Sequence, residues 1–483
     1  MRGLLLVTIG LLVASAGGCV IGASRRGDPP GEGGSSATGG AGGGGGEGGV
    51  GGETVPWTSG DASLVPVWHR EMVCAGSSVA IRVHPLGIDG DQVVVGGHFN
   101  GSCAPFEGVP TPSDGPDPWL AAIALEDGAT RWATHVVAPG TQRIQSLAVA
   151  GGLALAGDFD APFALGGASL NPLPTSDVPP SSLFLGALDE TGQASWAHAH
   201  DVNGLFAGVR VARAPNGDVV MVGDAHSPVD FGGGSLDADL FNSFVVRFAA
   251  DGSHVHSGLI EPLGFDVEEV DDVVVDSLGR SWLAGRFVQQ IDLGGGTLTA
   301  SEEASYLAVL DDTGSFLHGL VVHAVGCRLD LRPLGEGALV AAVCSGALDF
   351  GAGPKGSEEV GGHVLRLAGD GALLWHDYLG ESIGELHVDG DPSGGVVVAG
   401  TFADELLLGD ERFASAGRKD AFLAELSASG EILAAQRFGG EYDDVIEDVR
   451  HLGEGRYLLG GAGLQEAESA AFDVYELALW ARP

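Results

Sequence analysis

The chain has 483 residues, of which 65 are acidic and 23 are basic, so its formal net charge is −42. A surface this acidic repels phosphate, which excludes nucleic acid as a natural partner and disfavours docking of the folded part on anionic lipid. We expect the excess charge mainly to keep the folded surface soluble and self-repelling.

The first 18 residues have the three parts of a secretory signal peptide. Arg2 supplies a positive charge, residues 4–13 (LLLVTIGLLV) form an apolar core, and small residues follow. Ten apolar residues are too few to span a bilayer, and no later segment is apolar for long enough. The sequence therefore predicts that residues 1–18 are a signal peptide and that the protein is exported.

Two cleavage sites fit this leader. Residues 16–19 (AGGC) resemble a bacterial lipobox, in which the cysteine is lipidated and becomes the mature N-terminus, whereas residues 14–16 (ASA) could be an ordinary cut that leaves Cys19 free. Residues 19–53 favour lipidation, because a glycine-rich flexible tether would let the folded part clear the membrane. We expect a lipoprotein anchored through Cys19, with plain secretion as the alternative. Val20 in place of Asp implies, by analogy, an outer-membrane or cell-surface address.

After the tether, one hairpin pattern recurs along most of the chain. Residues 273–287 (VVVDSLGRSWLAGRF) alternate apolar and polar residues on both sides of a turn, as a tight antiparallel hairpin does. The position of Gly285 has counterparts spaced 57–66 residues apart, at Gly97, Gly157, Gly223, Val343, Gly400 and Gly461. Each repeat of about 60 residues holds about four predicted strands and no helical period, which is typical of a β-propeller blade.

The two ends of the repeat region complement each other. Residues 64–74 (LVPVWHREMVC) form a predicted strand without a hairpin partner, and the last repeat holds only three predicted strands. Joining them completes a seventh four-stranded unit and removes a sheet edge. We therefore predict an all-β, seven-bladed β-propeller over residues 54–483, with the last blade closed by an N-terminal strand.

Four cysteines remain if Cys19 carries lipid, and they can form disulfides in three ways. Directly opposed residues on antiparallel strands can approach to disulfide distance. Hairpins centred on the turns at residues 334–337 and 87–90 favour the pairs Cys327–Cys344 and Cys74–Cys103. Two bridges suit an exported protein, and buried free thiols are the alternative.

The acidic stretch at residues 266–272 (DVEEVDD) is a candidate cation site. Its carboxylates are ligands of the kind that Ca²⁺ prefers, but their spacing matches neither an EF-hand nor a nonapeptide repeat. We expect solvated rim residues and no cofactor, with bound Ca²⁺ as the alternative; the candidate ligands are Asp266, Glu268, Glu269, Asp271 and Asp272. The histidine pairs at 198/200 and 254/256 lack a recurring third ligand and are not expected to bind metal.

The fourth repeat carries a specific family resemblance. Residues 273–287, 291–298 (IDLGGGTL) and 305–314 (SYLAVLDDTG) together resemble the bacterial β-propeller repeat family found in secreted and surface proteins. The resemblance covers about residues 79–480 and implies a propeller fold, but it implies little about activity. Val343 departs from the family pattern, and the seventh repeat lacks the glycine-rich loop.

No catalytic signature stands out in the sequence. The G-x-S-x-G, H-E-x-x-H and P-loop motifs do not occur, and no two cysteines are adjacent as in quinoprotein dehydrogenases. We expect a monomeric surface binding or scaffold protein that touches the membrane only through its lipid and has a protein or carbohydrate ligand. The alternative is an extracytoplasmic hydrolase or oxidoreductase. Carboxylates that converge with Arg or His in the axial channel would favour this alternative, and an apolar channel would favour the scaffold.

Overall fold

The computed structural model describes residues 64–83, 86–104, 111–173, 181–201, 208–225, 227–238, 242–262, 268–350, 353–440, 443–467 and 470–482. The signal peptide, Cys19 and the tether lie outside these residues, and so does Asp266. The described residues form β-strands and turns, without a helix, as expected for an all-β protein. Accordingly, this part of the chain contains no helix with the length and apolar character needed to cross a membrane.

The strands follow one another in short antiparallel hairpins. The first half of the chain forms β1 (Val65–Val83), β2 (Gly87–Asp89), β3 (Gln92–Ala104), β4 (Thr111–Ala124), β5 (Thr130–His135), β6 (Gln142–Val149), β7 (Leu153–Phe159), β8 (Phe163–Leu165), β9 (Ala168–Leu170), β10 (Ser182–Leu188), β11 (Ala194–His200), β12 (Arg210–Arg213), β13 (Val219–Ala225), β14 (Val229–Asp230), β15 (Ser235–Leu236), β16 (Asn242–Phe248) and β17 (His254–Pro262). The second half forms β18 (Glu268–Val275), β19 (Ser281–Asp292), β20 (Thr297–Leu310), β21 (Phe316–Val322), β22 (Val325–Leu334), β23 (Gly337–Ser345), β24 (Val360–Leu367), β25 (Leu373–Glu381), β26 (Ile383–Gly390), β27 (Val396–Phe402), β28 (Glu405–Leu408), β29 (Glu411–Ala414), β30 (Asp420–Leu426), β31 (Ile432–Phe438), β32 (Asp444–His451), β33 (Arg456–Ala467) and β34 (Ala470–Ala481).

Each sequence repeat supplies a group of four antiparallel strands, called a unit below. The units β6-β7-β10-β11, β22-β23-β24-β25 and β26-β27-β30-β31 are separate sheets. Pairing of β17 with β19 joins the unit β12-β13-β16-β17 to the unit β18-β19-β20-β21. Pairing of β1 with β3 joins β2-β3-β4-β5 to the group β32-β33-β34-β1. Sheets of four antiparallel strands arranged as consecutive repeats are the pattern of a β-propeller.

The glycine that marks a repeat lies on the second strand of its unit, and in the second, fourth, sixth and seventh units it lies beside a bulge in the first strand. A Cβ atom on Gly157 would lie 1.8 Å from the carbonyl oxygen of Arg143. One on Gly285 would lie 2.2 Å from the carbonyl oxygen of Glu269. Only glycine fits such a close backbone approach. In the fifth unit, where Val343 occupies this position, the register of the first strand is irregular around residues 325–328.

A tryptophan on the fourth strand of several units packs against a turn of the next unit. Trp132, Trp196 and Trp375 donate their indole N–H groups to backbone oxygens of that turn, over 2.8–3.1 Å. Each ring lies against a glycine with positive φ, at which a Cβ atom would fall 2.8–3.1 Å from the ring. The turn therefore needs glycine at this position for its backbone conformation and for contact with the indole.

Trp68 on β1 makes the same contact with the first unit. Its indole N–H donates to the Leu125 oxygen over 3.0 Å, and its ring lies against Gly128, whose φ is 72°. The strand predicted at residues 64–74 pairs with β34 in an antiparallel register that sets Met72 opposite Tyr475. β1 therefore holds the position of a fourth strand beside β34, and Trp68 is the counterpart of the other inter-unit tryptophans.

The predicted hairpin register is present in the fifth unit from the turn as far as Arg328, the residue next to Cys327. Leu331 faces Val340 across β22 and β23, and the Cys327–Cys344 disulfide links these two strands with a Cα–Cα distance of 4.2 Å. The backbone register of β1 and β3 also pairs Cys74 with Cys103. The Cys74 side chain lies outside the described part of the chain, so the Cys74–Cys103 bridge stays a prediction.

We predict that Trp68→Ala lowers the free energy of unfolding by about 3 kcal/mol, because it removes a buried indole between the two chain ends. Trp196→Ala is the matched control, since both tryptophans are 9% exposed and make the same inter-unit contact. Urea unfolding followed by circular dichroism should give similar losses for the two variants. A loss for Trp68→Ala below a third of the control value would contradict the role assigned to β1.

Candidate functional site in the central cavity

The first strands of the units line one central cavity of about 1330 Å³. These strands are β2, β6, β12, β18, β22, β26 and β32. The lining extends from residues near the start of the strands, such as Gln145 and Glu447, to the turns that follow them, such as Ala150 and Gly453. The cavity thus runs along the length of the first strands, and every repeat contributes residues to its lining.

The cavity wall differs in charge from the rest of the molecule. Eight acidic residues line it, namely Asp271, Asp272, Asp276, Asp330, Glu385, Asp389, Glu447 and Asp448. Seven arginines also line it, namely Arg210, Arg213, Arg286, Arg328, Arg332, Arg450 and Arg456. Acidic residues outnumber basic ones by 65 to 23 over the whole chain. Arginine side chains are therefore more frequent, relative to carboxylates, in the cavity lining than in the rest of the protein.

Several of these carboxylates hold neighbouring first strands together. In each case a carboxylate oxygen accepts a hydrogen bond from a backbone N–H of the next first strand or its approach. The pairs are Asp272 with Leu331 (2.9 Å), Asp330 with Val388 (3.3 Å), Asp389 with His451 (2.8 Å) and Asp448 with Leu86 (2.5 Å). Burial, reinforced by the nearby Asp330 charge, raises the pKa of Asp272 to about 6. These four carboxylates are therefore committed to assembling the cavity wall.

A chain of ion pairs fills the middle of the cavity. Arg332 on β22 donates to Asp330 over 3.0 Å and to Asp448 on β32 over 2.9 Å. Arg450 donates to the same Asp448 oxygen over 2.8 Å. Although burial opposes it, the two guanidinium groups hold the pKa of Asp448 below its usual range. Because Arg332 and Asp448 are 116 residues apart, this network fastens distant repeats to each other.

Glu385 and Glu447 have no hydrogen bond or ion pair from their side chains among the described residues, in contrast to the carboxylates above. Glu447 is the extra residue of a bulge in β32, between Ile446 and Asp448. Burial, and then the negative charges of Glu385 and Asp448, raises the pKa of Glu447 to about 8. At neutral pH Glu447 is therefore mainly protonated and can donate a hydrogen bond into the cavity.

Arg328 lies on the first strand of the fifth unit, near the position in the repeat that these two glutamates occupy in theirs. It faces Val343, which takes the place of the repeated glycine in the fifth unit. Glu385 and Glu447 lie beside the repeated glycines of the sixth and seventh units. Arg328 is exposed and has no carboxylate partner among the described residues, whereas Arg286 is paired with Asp271 over 3.1 Å. We call Arg328, Glu385 and Glu447 the mouth cluster.

The acidic stretch singled out from the sequence is divided in the structure. Asp266 and the Glu268 side chain lie outside the described part of the chain. Glu269 and Asp271 contact Arg286, and Asp272 binds the backbone of β22. The expectation of solvated rim residues is therefore wrong for Asp272, because its carboxylate accepts a hydrogen bond from the Leu331 backbone and forms part of the cavity wall. Bound Ca²⁺ stays a prediction.

Sequence reasoning missed the mouth cluster and the central ion pairs. Their residues lie on the first strands of the units. In the sequence, a charged residue there cannot be distinguished from one on the solvent-exposed surface. One sequence feature could have indicated them. It is a charged residue on the first strand of a hairpin, close in the pairing to the repeated glycine on the second strand. The bulge that turns such residues toward the cavity is visible only in the pairing register.

Comparisons with known proteins identify no family. No family model matches the chain, and no curated protein matches it. Among solved structures, it is similar to an ulvan lyase of polysaccharide lyase family PL25, at 10% identity and a TM-score of 0.44 over 86% of this chain and 96% of that one. It is also similar to the Neurospora crassa Pan2 WD40 domain, at 9% identity and a TM-score of 0.42 over 83% and 89%. A protein of unknown function from Dyadobacter fermentans matches at 10% identity and a TM-score of 0.41, over 87% of this chain and 100% of that one. At this level of similarity no residue role is carried over to this chain.

We predict that Glu447→Gln makes the protein less sensitive to rising pH. Because the folded-state pKa is raised, the folded protein keeps a proton that the unfolded chain releases, so wild-type stability falls as pH rises from about 4.5 to about 8. The stability of the variant relative to wild type should increase across this window by at most about 1.4 kcal/mol per pH unit, and then level off.

The measurement is the free energy of unfolding in urea at several pH values. Glu405→Gln is the control for the loss of a carboxylate outside the cavity, because Glu405 is an exposed residue of the β28–β29 hairpin. Parallel pH profiles for wild type and Glu447→Gln would contradict the proposed protonation of Glu447.

Proposed function

We propose that the protein is an exported, monomeric β-propeller of seven blades, anchored to the outer membrane or cell surface by lipid on Cys19. The arrangement of seven first strands around one cavity supports this number of blades. The pairing of β1 with β34 and the Trp68 contact support closure of the last blade by the N-terminal strand. The Cys327–Cys344 disulfide supports an oxidising compartment.

The anchor makes its own prediction. Protein purified from membranes should partition into detergent, and mass spectrometry should find a diacylglyceryl group on an N-terminal Cys19. Cys19→Ser should abolish partitioning, because lipidation requires the thiol. An unmodified mature chain that begins at Gly17 would refute the anchor. The protein would then be secreted without a lipid.

We infer that the central cavity binds a small hydroxylated carboxylate, of the sugar-acid class. The observation that carries this inference is the mouth cluster, in which three polar side chains on adjacent first strands have no protein partner among the described residues. A guanidinium such as that of Arg328 recognises a carboxylate by paired hydrogen bonds. Protonated Glu447 can donate to a hydroxyl group of the same ligand, and Glu385 can accept from another.

The rest of the cavity supports binding more than catalysis. Asp272, Asp330, Asp389 and Asp448 are already bonded to backbone N–H groups of neighbouring strands. Substituting any of them would disturb the wall, so they are poor candidates for groups that change partners during a reaction. The cavity nevertheless carries eight acidic residues and seven arginines beside its apolar lining, which favours a ligand site over a plain scaffold.

Ligand binding can be tested by isothermal titration calorimetry with glucuronic acid and, as a matched neutral probe, glucose. We expect glucuronic acid to bind more tightly than glucose, and Arg328→Gln to weaken its binding by about tenfold or more, the effect of losing one charge-assisted contact. Arg456→Gln is the matched control, because Arg456 is an exposed arginine at the opposite end of the cavity. Equal affinity for both sugars, no binding of either, or equal effects of the two variants would refute the inference.

A second candidate function is hydrolysis of a glycoside of such a ligand. Glu447 supports it, because a glutamic acid with a pKa of about 8 keeps the proton that a general acid must donate at neutral pH. Release of reducing sugar from oligosaccharides of glucuronic acid, lost in Glu447→Gln while binding is retained, would establish hydrolysis. Binding without turnover would leave the protein as a receptor.

A further inference from the structure

Glu476 on β34 breaks the packing pattern of the repeats. The residue that faces the marker glycine from the third strand is aromatic in five other units, namely Trp119, Phe184, Phe244, Tyr306 and Phe422. In the last unit the residue facing Gly461 is Glu476, and it is 2% exposed. A buried carboxylate at a position that otherwise holds an aromatic ring requires a compensating partner.

Two further metal-ligating groups lie beside Glu476, on β1. Glu71 is its direct partner in the β1–β34 register, and His69 lies on the same face of β1, two residues earlier. His69 Nε2 is 4.0 Å from Glu476 Oε2, and His69 Nδ1 is 3.8 Å from Glu71 Oε1. One ligand atom from each of the three residues lies within 4.8 Å of the other two.

In the described part of the chain, two atoms of this group lack a hydrogen-bond partner. His69 Nε2 and Glu476 Oε2 are buried and have no hydrogen-bond partner among the described residues. The charged groups that act on Glu476 are Glu71 and Asp444, which add negative charge; together with burial, the largest cause, they raise the pKa of Glu476 to about 8.

We propose that His69, Glu71 and Glu476 form a Zn²⁺ site at the seam between β1 and β34, with water as the fourth ligand. One imidazole and two carboxylates are a donor set that suits Zn²⁺, and the imidazole disfavours Ca²⁺ and Mg²⁺. Ligand atoms around tetrahedral Zn²⁺ are about 3.3 Å apart, given bonds of about 2.0–2.1 Å. One set of three ligand atoms, one from each residue, lies within 4.8 Å of one another, and small rotations of the three side chains would bring it to that value.

The site would fasten the two ends of the folded chain to each other. His69 and Glu71 come from the first strand and Glu476 from the last, so a bound ion bridges segments about 400 residues apart. The seam lies outside the mouth cluster, and the proposed Zn²⁺ site does not depend on the ligand proposed for the cavity. Metal binding should therefore stabilise β1 on β34 whether or not the cavity is occupied.

The test is calorimetric titration of the EDTA-treated full chain with ZnCl₂ in 0.15 M NaCl, with the metal content checked by mass spectrometry. We expect one Zn²⁺ per chain, a higher Tm, and slower hydrogen exchange in β1 when Zn²⁺ is bound. Glu476→Gln should weaken Zn²⁺ binding by about 100-fold or more, because even changes beyond the ligands cost 10- to 100-fold. Glu405→Gln should leave it unchanged, which controls for non-specific binding to the acidic surface.

A second variant keeps the test valid if Glu476→Gln folds poorly. Glu476→Phe introduces the residue type that other units carry at this position, so it should fold with a Tm at or above that of metal-free wild type. Its Tm should no longer respond to Zn²⁺. Absence of stoichiometric Zn²⁺ binding to wild type, Ca²⁺ binding as tight as Zn²⁺ binding, or an unchanged Zn²⁺ affinity in the Glu476 variants would overturn the proposal.

Discussion

The close approach of two backbones at the marker glycine is the constraint on which the units depend. The bulge in the first strand puts a carbonyl oxygen within about 2 Å of where a Cβ atom would stand, as at Gly157 and Gly285. The same bulge adds one residue to the first strand and changes which side chains face inward. Glu447 is such an added residue. The feature that builds each unit therefore also selects the residues of the cavity wall.

The repeat pattern was sufficient to predict the strands and their local pairing. Alternation of apolar and polar residues, Asp-Gly turns and marker glycines act within one hairpin, where sequence distance and spatial distance agree. For that reason the turn at residues 334–337 gave the correct register as far as Arg328 and Val343, the neighbours of the Cys327–Cys344 disulfide. The partner of residues 64–74 was predicted from the strand count alone, because an unpaired strand at each end leaves two open sheet edges.

Contacts between units could not be read in the same way. Arg332 and Asp448 are 116 residues apart, and a repeat period does not say which side chains reach across a cavity. Trp68 was missed because it stands before the first complete repeat, outside the sequence context of Trp132, Trp196 and Trp375. Glu476 was missed because the aromatic residue that it replaces is recognised only when the third strands are aligned through their register with the marker glycines.

The last unit carries two of the buried glutamates with strongly raised pKa values, Glu447 and Glu476. It is also the unit in which both chain ends meet, since β1 pairs with β34. A repeat assembled from two distant segments has an extra interface, and that interface here includes charged groups where the other units have apolar packing. Buried charge lowers stability unless a partner compensates it. Carboxylates that already have arginine or backbone partners are thus explained by the fold, and those without such partners are where we propose that ligands bind. By this criterion Glu447, within the mouth cluster, and Glu476, at the β1–β34 seam, are the two residues of the last unit that the fold alone does not explain.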